Sequence, residues 1–341
     1  MPDTTTSTTP WVAASAADLL ATAGDGERLD PGDGKSGSRF ERVVVDGQRC
    51  IVKSLSRSSD WITRVIHDPA YWNLVVWREG IMTSSPPAID HTVVGMALDG
   101  EGDDAVLTML MRDVGEHLVP EGDAPVTLDR HLALVDGLAA LSVRWWGWTD
   151  TLGLCAMGNR LRFFAPDNIA PELTRAASPS DLPAPLRVAD EGWRRLPDRA
   201  PELAELLFGL HADPRPLVDA LASTPSTFLQ GDWKMGNLGV HPDGRTILLD
   251  WAYPGAGPCC WDLAWYLALN RARLPMSKED TVEAFRRRLE ARGVVTGGWF
   301  DEQMALCLLA ITVTFGWEKA VGDEGELRWW ERVALVGAAR L

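Results

Sequence analysis

The stretch LQGDWKMGN, residues 229–237, and the stretch ILLDW, residues 247–251, are separated by a short hairpin and together decide the fold. In the first stretch, Asp232 is placed to accept the proton of a substrate hydroxyl as a base, and Lys234 is placed to meet a phosphate. Phosphoryl transfer needs positioning and charge neutralisation from a protein more than covalent chemistry. The two stretches therefore predict a phosphoryl-transfer site.

Two further polar side chains complete this pattern. Asn237 closes the same loop and Asp250 ends an apolar strand, so that both can ligate Mg²⁺ beside phosphate oxygens. The spacing resembles that of the protein-kinase catalytic loop and its metal-binding Asp. A single Asp or Asn in a loop is most often a turn former or a helix cap. Several of them in kinase order, flanked by apolar runs, favour a functional site.

The segments after the loop narrow the resemblance to one family. Gly257-Pro258 and Trp261-Asp262-Leu263-Ala264 follow in order, and the whole run resembles the aminoglycoside phosphotransferase and choline kinase-like family. Gln230 stands where that family usually has a structural His. The resemblance implies an α+β fold of the two-lobed protein-kinase-like type, with a small β-rich N-lobe and a larger helical C-lobe. It also implies ATP (or GTP) and Mg²⁺ as cofactors. Asp262, in the first turn of a helix, is expected to brace the catalytic loop.

The N-terminal part of the chain is predicted to be β-rich. Residues 39–45 and 49–53 are expected strands, and Asp46-Gly47 between them is a two-residue hairpin signal. Lys53 ends the second strand, where the resemblance implies a Lys that holds the α- and β-phosphates. A strand-terminal Lys that points to solvent is the structural alternative.

The acidic partner of Lys53 is expected on a following helix, since a carboxylate there would hold the ammonium group in place. Glu79 is the predicted partner, and Asp60 and Asp68 are the alternatives.

A glycine-rich segment, residues 31–38, precedes the first strand. Its Gly34-Lys35-Ser36 suggests a Walker A motif. However, Leu29 stands where that motif needs its first Gly, and a strand follows where a helix is required. We therefore expect a flap that covers the nucleotide phosphates with backbone N–H groups and with Ser36 or Ser38. A plain flexible turn is the alternative.

Two more strands are predicted at residues 91–98 and 105–111. In the kinase-like fold, the segment Met109–Asp113 would be the hinge between the lobes. Its backbone would pair with the adenine edge, and Met109 and Met111 would supply apolar contact; an ordinary strand exit is the alternative. We accordingly divide the chain into an N-terminal nucleotide-binding lobe, residues 1–112, and a C-terminal helical lobe with the catalytic loop and the acceptor site, residues 113–341.

Beyond the hinge the sequence predicts helices. Apolar residues recur with a helical period in Leu128–Trp145, whereas Leu152–Asp190, which contains a Pro- and Ser-rich stretch, is expected to be an inserted loop. The apolar run Met304–Phe315 is too short to span a membrane, so a buried helix is expected there. Further helices are predicted at residues 202–211, 214–222, 261–269, 278–291, 299–313 and 326–336.

The composition is typical of a globular intracellular enzyme. Of the 341 residues, 46% are hydrophobic, which is enough for a full core. The Cys residues follow no disulfide pattern, so reduced and buried thiols are expected. The Thr- and Ser-rich N-terminus lacks the basic and apolar segments of a secretory signal. A cytoplasmic location without membrane contact follows by elimination.

The formal net charge of −15 argues against nucleic acid as a partner, because the phosphate backbone would be repelled. It is compatible with a cationic small molecule, although acidity for solubility alone explains it as well. Trp317-Glu318 and the acids Asp323, Glu324 and Glu326 are a candidate acceptor pocket, with a solvated loop as the alternative.

Together these features predict an enzyme that transfers the γ-phosphate to a hydroxyl of a small molecule. An antibiotic or related natural product, of the aminoglycoside or nucleoside type, is the first hypothesis, and a metabolic sugar or amino-alcohol kinase is the second. A protein kinase is disfavoured because Trp251-Ala252 follows Asp250 where a D-F-G motif would be needed. Because Gln230 replaces the usual His, the alternative to an enzyme is a pseudokinase, a regulatory module that binds a nucleotide without transferring phosphate. A monomer or a homodimer is expected.

Overall fold

The computed structural model describes residues 9–29, 37–176, 178 and 181–341. In the described residues, seven strands precede the predicted lobe boundary: β1 Val12–Ala13, β2 Glu27–Leu29, β3 Arg39–Val45, β4 Gln48–Ser56, β5 Ile89–Asp90, β6 Val93–Asp99 and β7 Val106–Arg112. All but β5 form one six-stranded sheet in the order β1-β6-β7-β4-β3-β2. The pairs within this sheet are antiparallel except for the parallel pair of β1 and β6.

The hairpin between β3 and β4 forms as predicted. Asp46 and Gly47 both have positive φ angles, 50° and 78°, which is the backbone of the two-residue turn that matches strand twist. Strand β4 is longer than predicted, because β7 pairs with it as far as Ser56. Lys53 therefore lies inside the strand, opposite Met109, and does not end it.

The two faces of the sheet pack against different partners. The short helix α1, Ala16–Leu19, covers one face, where Leu19 contacts a small apolar cluster that includes Val43, Val52 and Leu110. The other face turns toward helices α2, Trp61–Val65, and α3, Trp72–Arg78, and joins the main core. Side chains alternate along β4, so Lys53 points away from the α1 side and toward this inner face.

The C-terminal part is helical. Its helices are α4 Leu128–Arg144, α5 Met157–Leu161, α6 Pro166–Arg175, α7 Ala184–Arg199, α8 Pro201–Ala212, α9 Arg215–Ala222, α10 Trp261–Leu269, α11 Lys278–Ala291, α12 Phe300–Val321 and α13 Glu324–Ala338. The long helix α12 lies at the centre and packs against α7, α10 and α13. By length and composition it is the one described helix that could cross a membrane, but 83% of its apolar window is buried inside the protein, as is usual for a core helix.

The prediction of an inserted loop over Leu152–Asp190 is wrong. Helices α5, α6 and the first part of α7 occupy this stretch. Pro166 is the first residue of α6, and Pro185 lies in the first turn of α7. Pro is tolerated there because the N–H groups in the first turn of a helix have no acceptor within the helix, so that a residue without an N–H loses no hydrogen bond. Pro166 and Pro185 therefore mark helix starts here and not an irregular segment, and Pro171 is accommodated inside α6.

Four short strands position the loops of the C-terminal part. Strand β8, Ser226–Leu229, pairs with β11, Gly255–Pro258, while β9, Leu238–Val240, and β10, Thr246–Leu248, form a hairpin. Strand β5 comes from the N-terminal part and pairs with β10 in parallel. This pairing holds the β9–β10 hairpin against the segment of the N-terminal part that directly precedes β6. Strand β7 ends at Arg112, where the predicted lobe boundary was placed, and that boundary stays a prediction.

Candidate active site

The loop between β8 and β9, residues 230–237, begins with a close approach of two backbones. Gly231 has a φ of 89°, and a Cβ atom there would collide with the carbonyl oxygen of Tyr253. Asp262, in the first turn of α10, accepts hydrogen bonds from the backbone N–H groups of Gln230 and Gly231, each at 3.0 Å. Asp262 therefore braces the loop, as expected from the sequence. Burial raises its pKa to about 6, although the charge of Arg160 opposes this shift.

Asp232 is held from both sides. It is only 3% exposed. Its Oδ1 accepts a hydrogen bond from the indole N–H of Trp265 at 2.9 Å, and its Oδ2 accepts one from Nδ2 of Asn237 at 2.8 Å. Nζ of Lys234 lies 2.8 Å from the same Oδ2. Burial raises the pKa of Asp232, and Lys234 counteracts part of that effect. A carboxylate fixed in this way and made more basic by burial is suited to accept a proton.

Asp250 directly follows the β10 strand region and has an unusual backbone. Its φ is 52°, in the left-handed region that costs energy for a residue with a side chain. Its Oδ2 lies 3.0 Å from Nζ of Lys53, whereas its Oδ1 is buried and has no hydrogen-bond partner among the described residues. Burial favours a higher pKa for Asp250, but Lys53 and Lys234 outweigh it and lower the pKa. Asp250 is therefore ionised and has one oxygen left for a ligand.

Gln230 joins the two catalytic segments. Its Oε1 accepts a hydrogen bond from the backbone N–H of Asp232 at 2.9 Å. Its Nε2 donates to the backbone carbonyl of Asp250 and, at 3.4 Å, to that of Leu249. The side chain is fully buried, so these bonds are shielded from water. An amide offers an acceptor and a donor at once, and both are used here.

The donor set fits Mg²⁺. Asp250 offers the unpartnered Oδ1, and Asn237 offers its amide oxygen, because its Nδ2 is the atom bonded to Asp232. Mg²⁺ in phosphoryl-transfer sites is usually held by one or two protein oxygens together with phosphate oxygens and water. In the described part of the chain, no cluster of three or more His, Cys, Asp or Glu side chains could hold a metal ion alone. Such a site would need the phosphates to complete it.

The prediction that Glu79 pairs with Lys53 is wrong. Helix α3 ends at Arg78, and Glu79 caps it on the exposed surface without an ion pair to Lys53. The ion-pair partner of Lys53 is Asp250, from the other part of the chain.

The two alternative partners, Asp60 and Asp68, hold helix starts instead. Burial raises the pKa of Asp60 to about 6, while the positive charge of Lys53 lowers it. Asp60 caps α2 through the N–H groups of Ile62 and Thr63. The other alternative, Asp68, bonds to the backbone at the start of α3.

Met109 and Met111 lie on the same face of the sheet as Lys53. Met109 pairs directly with Lys53 across the strands and is buried, and Met111 is half-buried. Phe40, which the sequence did not single out, lies opposite Lys53 on β3, with its ring centroid 5.8 Å from Nζ. These side chains form an apolar surface next to the ammonium group.

The predicted hinge, Met109–Asp113, lies mostly inside strand β7. Strand β7 lies between β6 and β4, so the backbone groups of Met109 and Met111 are used within the sheet. The N–H of Asp113 still bonds to the carbonyl of Arg49 at 3.0 Å. Any backbone left for an adenine edge must therefore come from the carbonyl of Asp113 and the residues after it. Ser36 of the predicted flap lies outside the described residues.

The acids of the predicted acceptor pocket are paired with neighbouring groups. Glu318 lies 2.6 Å from Lys319, Glu326 lies 2.7 Å from Lys278, and Glu324 pairs with Arg199 and Arg328. Asp323 caps α13. Because these charges are neutralised in place, the acids do not form an open acidic pocket.

An aromatic group lies next to Asp232 instead. The ring of Trp265 is 5.9 Å from that of Tyr253 and 4.7 Å from that of Phe315. Tyr253 is only 6% exposed, and its hydroxyl makes no hydrogen bond with the described residues. Burial raises the pKa of this hydroxyl well above its usual value, and the negative charges of Asp232 and Asp250 add to that effect. The sequence did not single out Trp265; its position three residues after Asp262 on α10, which puts both on one helix face, is the signal that could have found it.

Comparison with known proteins gives a family match and several structural matches. The model of the phosphotransferase enzyme family matches residues 33–299. Choline kinase LicA from Streptococcus pneumoniae shares 13% sequence identity over 95% of this chain and 96% of its own, with a TM-score of 0.53. LicA in complex with AMP shares 14% sequence identity with this chain, over 94% of this chain and 93% of its own, with a TM-score of 0.50. A thermostable mutant of aminoglycoside phosphotransferase APH(4)-Ia, in a ternary complex with ADP and hygromycin B, shares 13% sequence identity with this chain. The match covers 95% of this chain and 96% of its own, with a TM-score of 0.45. No curated protein sequence matches this one. At these identities the structural likeness shows the fold, and the predicted fold class is confirmed.

Proposed function

The chain belongs to the phosphotransferase enzyme family, and from that premise we propose that it transfers the γ-phosphate of ATP, or of GTP, to a hydroxyl of a small molecule. The observation that supports this most is the arrangement around Gln230. One buried amide links the backbone of Asp232, the proposed base, to that of Asp250, whose Oδ1 has no hydrogen-bond partner among the described residues. The family uses a nucleotide, and Lys53 beside Asp250 supplies a cation for its phosphates.

In the proposed reaction, Asp232 orients the acceptor hydroxyl and takes its proton as the oxygen attacks the γ-phosphorus. The bond between the γ-phosphorus and the bridging oxygen of the β-phosphate breaks, and the nucleoside diphosphate leaves with that oxygen. Trp265 and Asn237 keep the carboxylate in place through their hydrogen bonds. Lys234 offsets negative charge as the phosphate approaches. Asn237 and Asp250 would hold Mg²⁺, which when bound neutralises charge on the phosphate oxygens. Lys53 keeps Asp250 ionised and meets the phosphates from the N-terminal sheet.

We propose an antibiotic or related natural product as the acceptor, of the aminoglycoside or nucleoside type, and an amino alcohol or sugar as the second candidate. The aromatic group of Tyr253, Trp265 and Phe315 supports an acceptor that carries a positive charge or an apolar ring face, because aromatic faces attract both. The net charge of −15 is compatible with a cationic acceptor. A cytoplasmic location, where ATP is available, is part of this proposal.

A pseudokinase module remains the second class of function. Gln230 was the reason to consider it, but its amide satisfies both backbone groups that it faces. The retained Asp232, Asn237 and Asp250 favour catalysis.

A substrate screen tests the proposal. The protein would be incubated with MgATP and a panel of aminoglycosides, nucleoside and macrolide antibiotics, amino alcohols and sugars. ADP release and the mass gain of one phosphate on the acceptor are the measurements, with the Asp232→Asn variant as the control for background hydrolysis. We expect one class of the panel to gain a phosphate with the wild type only. MgATP binding without any transfer across the panel would favour the pseudokinase.

A further inference from the structure

Arg160 lies beneath the catalytic loop, in a space that two glycines leave open. It belongs to α5 and is only 3% exposed. A Cβ atom on Gly231 would come within 2.5 Å of its Nη1, and a Cβ atom on Gly255 would come within 3.0 Å of its Nη2. Because Gly231 immediately precedes Asp232, the guanidinium group is in contact with the backbone that carries the proposed base.

The guanidinium group is only partly satisfied. Nη2 donates to the backbone carbonyl of Tyr253, and the charged carbon lies 5.8 Å from the ring centroid of Trp261. Nη1 and Nε have no hydrogen-bond partner among the described residues. Burying a charge without a directly bonded carboxylate is costly, and an apolar side chain of similar length would fill the space at lower cost. The burial of this charge therefore calls for a role other than packing.

The acid whose ionisation Arg160 influences is Asp262. Asp262 is buried, and its carboxylate holds the N–H groups of Gln230 and Gly231. A carboxylate that accepts two hydrogen bonds works best when it is ionised, since the protonated form turns one oxygen into a donor. A cation in the same buried region favours the ionised form.

We propose that Arg160 is a positioning residue, which keeps Asp262 charged and the Gly231 peptide in place so that Asp232 stays aimed at the acceptor. The proposal rests on the function proposed above, but the placement of the loop can be measured without turnover. No motif pointed to Arg160, because it lies in the stretch that the sequence predicted to be an irregular insertion.

The direction of the pKa shifts supports this role. Burial raises the pKa of Asp262 to about 6, Arg160 lowers it, and Asp232 raises it. The thiol of Cys307 on α12 also lies within the electrostatic range of Asp262, but burial keeps its pKa well above the usual range, so it carries no charge. Arg160 is therefore the cation that acts on Asp262. Without it, a larger share of Asp262 would be protonated near neutral pH.

Two variants and one control test the proposal. Arg160→Met removes the charge and keeps the length, while Arg160→Lys keeps the charge and loses the planar fork. Arg162→Met is the matched control. Arg162 lies two residues further on and also donates to a backbone carbonyl, that of His211, but it faces away from the loop. Hydrogen exchange of residues 229–237 in the protein without ligand is the first readout, and the pH profile of kcat is the second.

We expect Arg160→Met to speed exchange in this loop by about tenfold or more and to lower kcat by about tenfold to a hundredfold, with the KM for ATP nearly unchanged. The acid limb of its kcat profile should move to higher pH, because Asp262 loses the nearby cation. Arg160→Lys should keep the acid limb at the wild-type position and still lower kcat. Arg162→Met should match the wild type in both readouts.

Several results would overturn the proposal. A folded Arg160→Met protein with wild-type loop exchange and an unmoved acid limb would leave Arg160 with a packing role only. If Arg160→Met does not fold, the Arg160→Lys variant tests the proposal in its place. A kcat and a loop exchange rate equal to those of the wild type in Arg160→Lys would then contradict the proposal. If the wild type transfers phosphate to no acceptor, the proposed function fails, while the exchange comparison still tests the placement of the loop.

Discussion

At position 230, a side-chain amide does what the family resemblance assigns to a His. The amide accepts from the N–H of Asp232 and donates to the carbonyl of Asp250, so both catalytic segments depend on one side chain. Unlike imidazole, an amide does not titrate. The link between Asp232, the proposed base, and Asp250, the proposed metal ligand, is therefore independent of pH over the physiological range.

Replacing Gln230 by Glu tests this link. Glu has the same shape, but it loses the N–H donor and brings a negative charge close to Asp232 and Asp250. We expect kcat per folded molecule to fall by about tenfold to a hundredfold, because the two carboxylates lose their relative placement. Gln303→Glu is the matched control, since Gln303 is also fully buried with both ends of its amide bonded, but its bonds go to Cys260, Thr224 and Pro225 and not to residues 230–237. Equal kcat values for the two variants would show that Gln230 only fills space.

Asp250→Ala tests the metal assignment at the same scale. The buried Oδ1 of Asp250 has no hydrogen-bond partner in the described part of the chain, and Asn237 would contribute a neutral oxygen. We expect Asp250→Ala to weaken MgATP binding by at least about tenfold, and Asn237→Ala to weaken it less, because a neutral ligand offsets less of the ion's charge. Calorimetric titration with and without Mg²⁺ is the measurement, and Asp243→Ala at the exposed hairpin tip is the control. MgATP affinity like that of the wild type in Asp250→Ala would remove it from the metal site.

At the scale of elements, strand β5 couples the two parts of the chain. Asp90, its last residue, is buried, forms an ion pair with Arg112 at the end of β7, and accepts a hydrogen bond from Nε2 of His241 at 2.7 Å. His241 directly follows β9 in the hairpin that leads to Asp250. Burial would raise the pKa of Asp90, but Arg112 and His241 outweigh it, and the pKa is lowered. The hinge strand and the hairpin are thus held by one ionised carboxylate.

We expect Asp90→Asn to lower the free energy of unfolding by about 3 kcal/mol at pH 7, because it leaves the Arg112 guanidinium without its counter-charge and weakens the hydrogen bond that His241 makes. The pKa of Asp90 is lower in the folded state, so its contribution is present above the unfolded value near 3.8 and is lost as the pH falls through the folded value. Urea denaturation at pH 7 is the measurement. Asp243→Asn removes an exposed pair with Arg245 in the same hairpin and should change stability by less than about 1 kcal/mol. A loss of similar size in both variants would contradict the role of β5.

Across the whole molecule, the sequence predicted the parts of the site that are close together along the chain. Asp232, Lys234 and Asn237 share one loop, so their spacing alone brings them together. The contacts that it missed join distant segments: Lys53 pairs with Asp250 and not with Glu79, and Arg160 reaches the loop from α5. Helix α5 was itself overlooked because the Pro- and Ser-rich stretch that follows it led us to expect an irregular segment over the whole of Leu152–Asp190. Spacing along the chain carries no information on such tertiary contacts, so these could not be predicted.

The catalytic role of Asp232 remains the central prediction for the molecule as a whole, and the most direct test compares turnover with nucleotide affinity in Asp232→Asn. The amide keeps the shape of the side chain and cannot take the proton of the acceptor hydroxyl. We predict a kcat about 100-fold to 10,000-fold below that of the wild type on the acceptor found in the screen, with a Kd for MgATP within about threefold of the wild type. A kcat close to that of the wild type would contradict the assignment of Asp232 as the base.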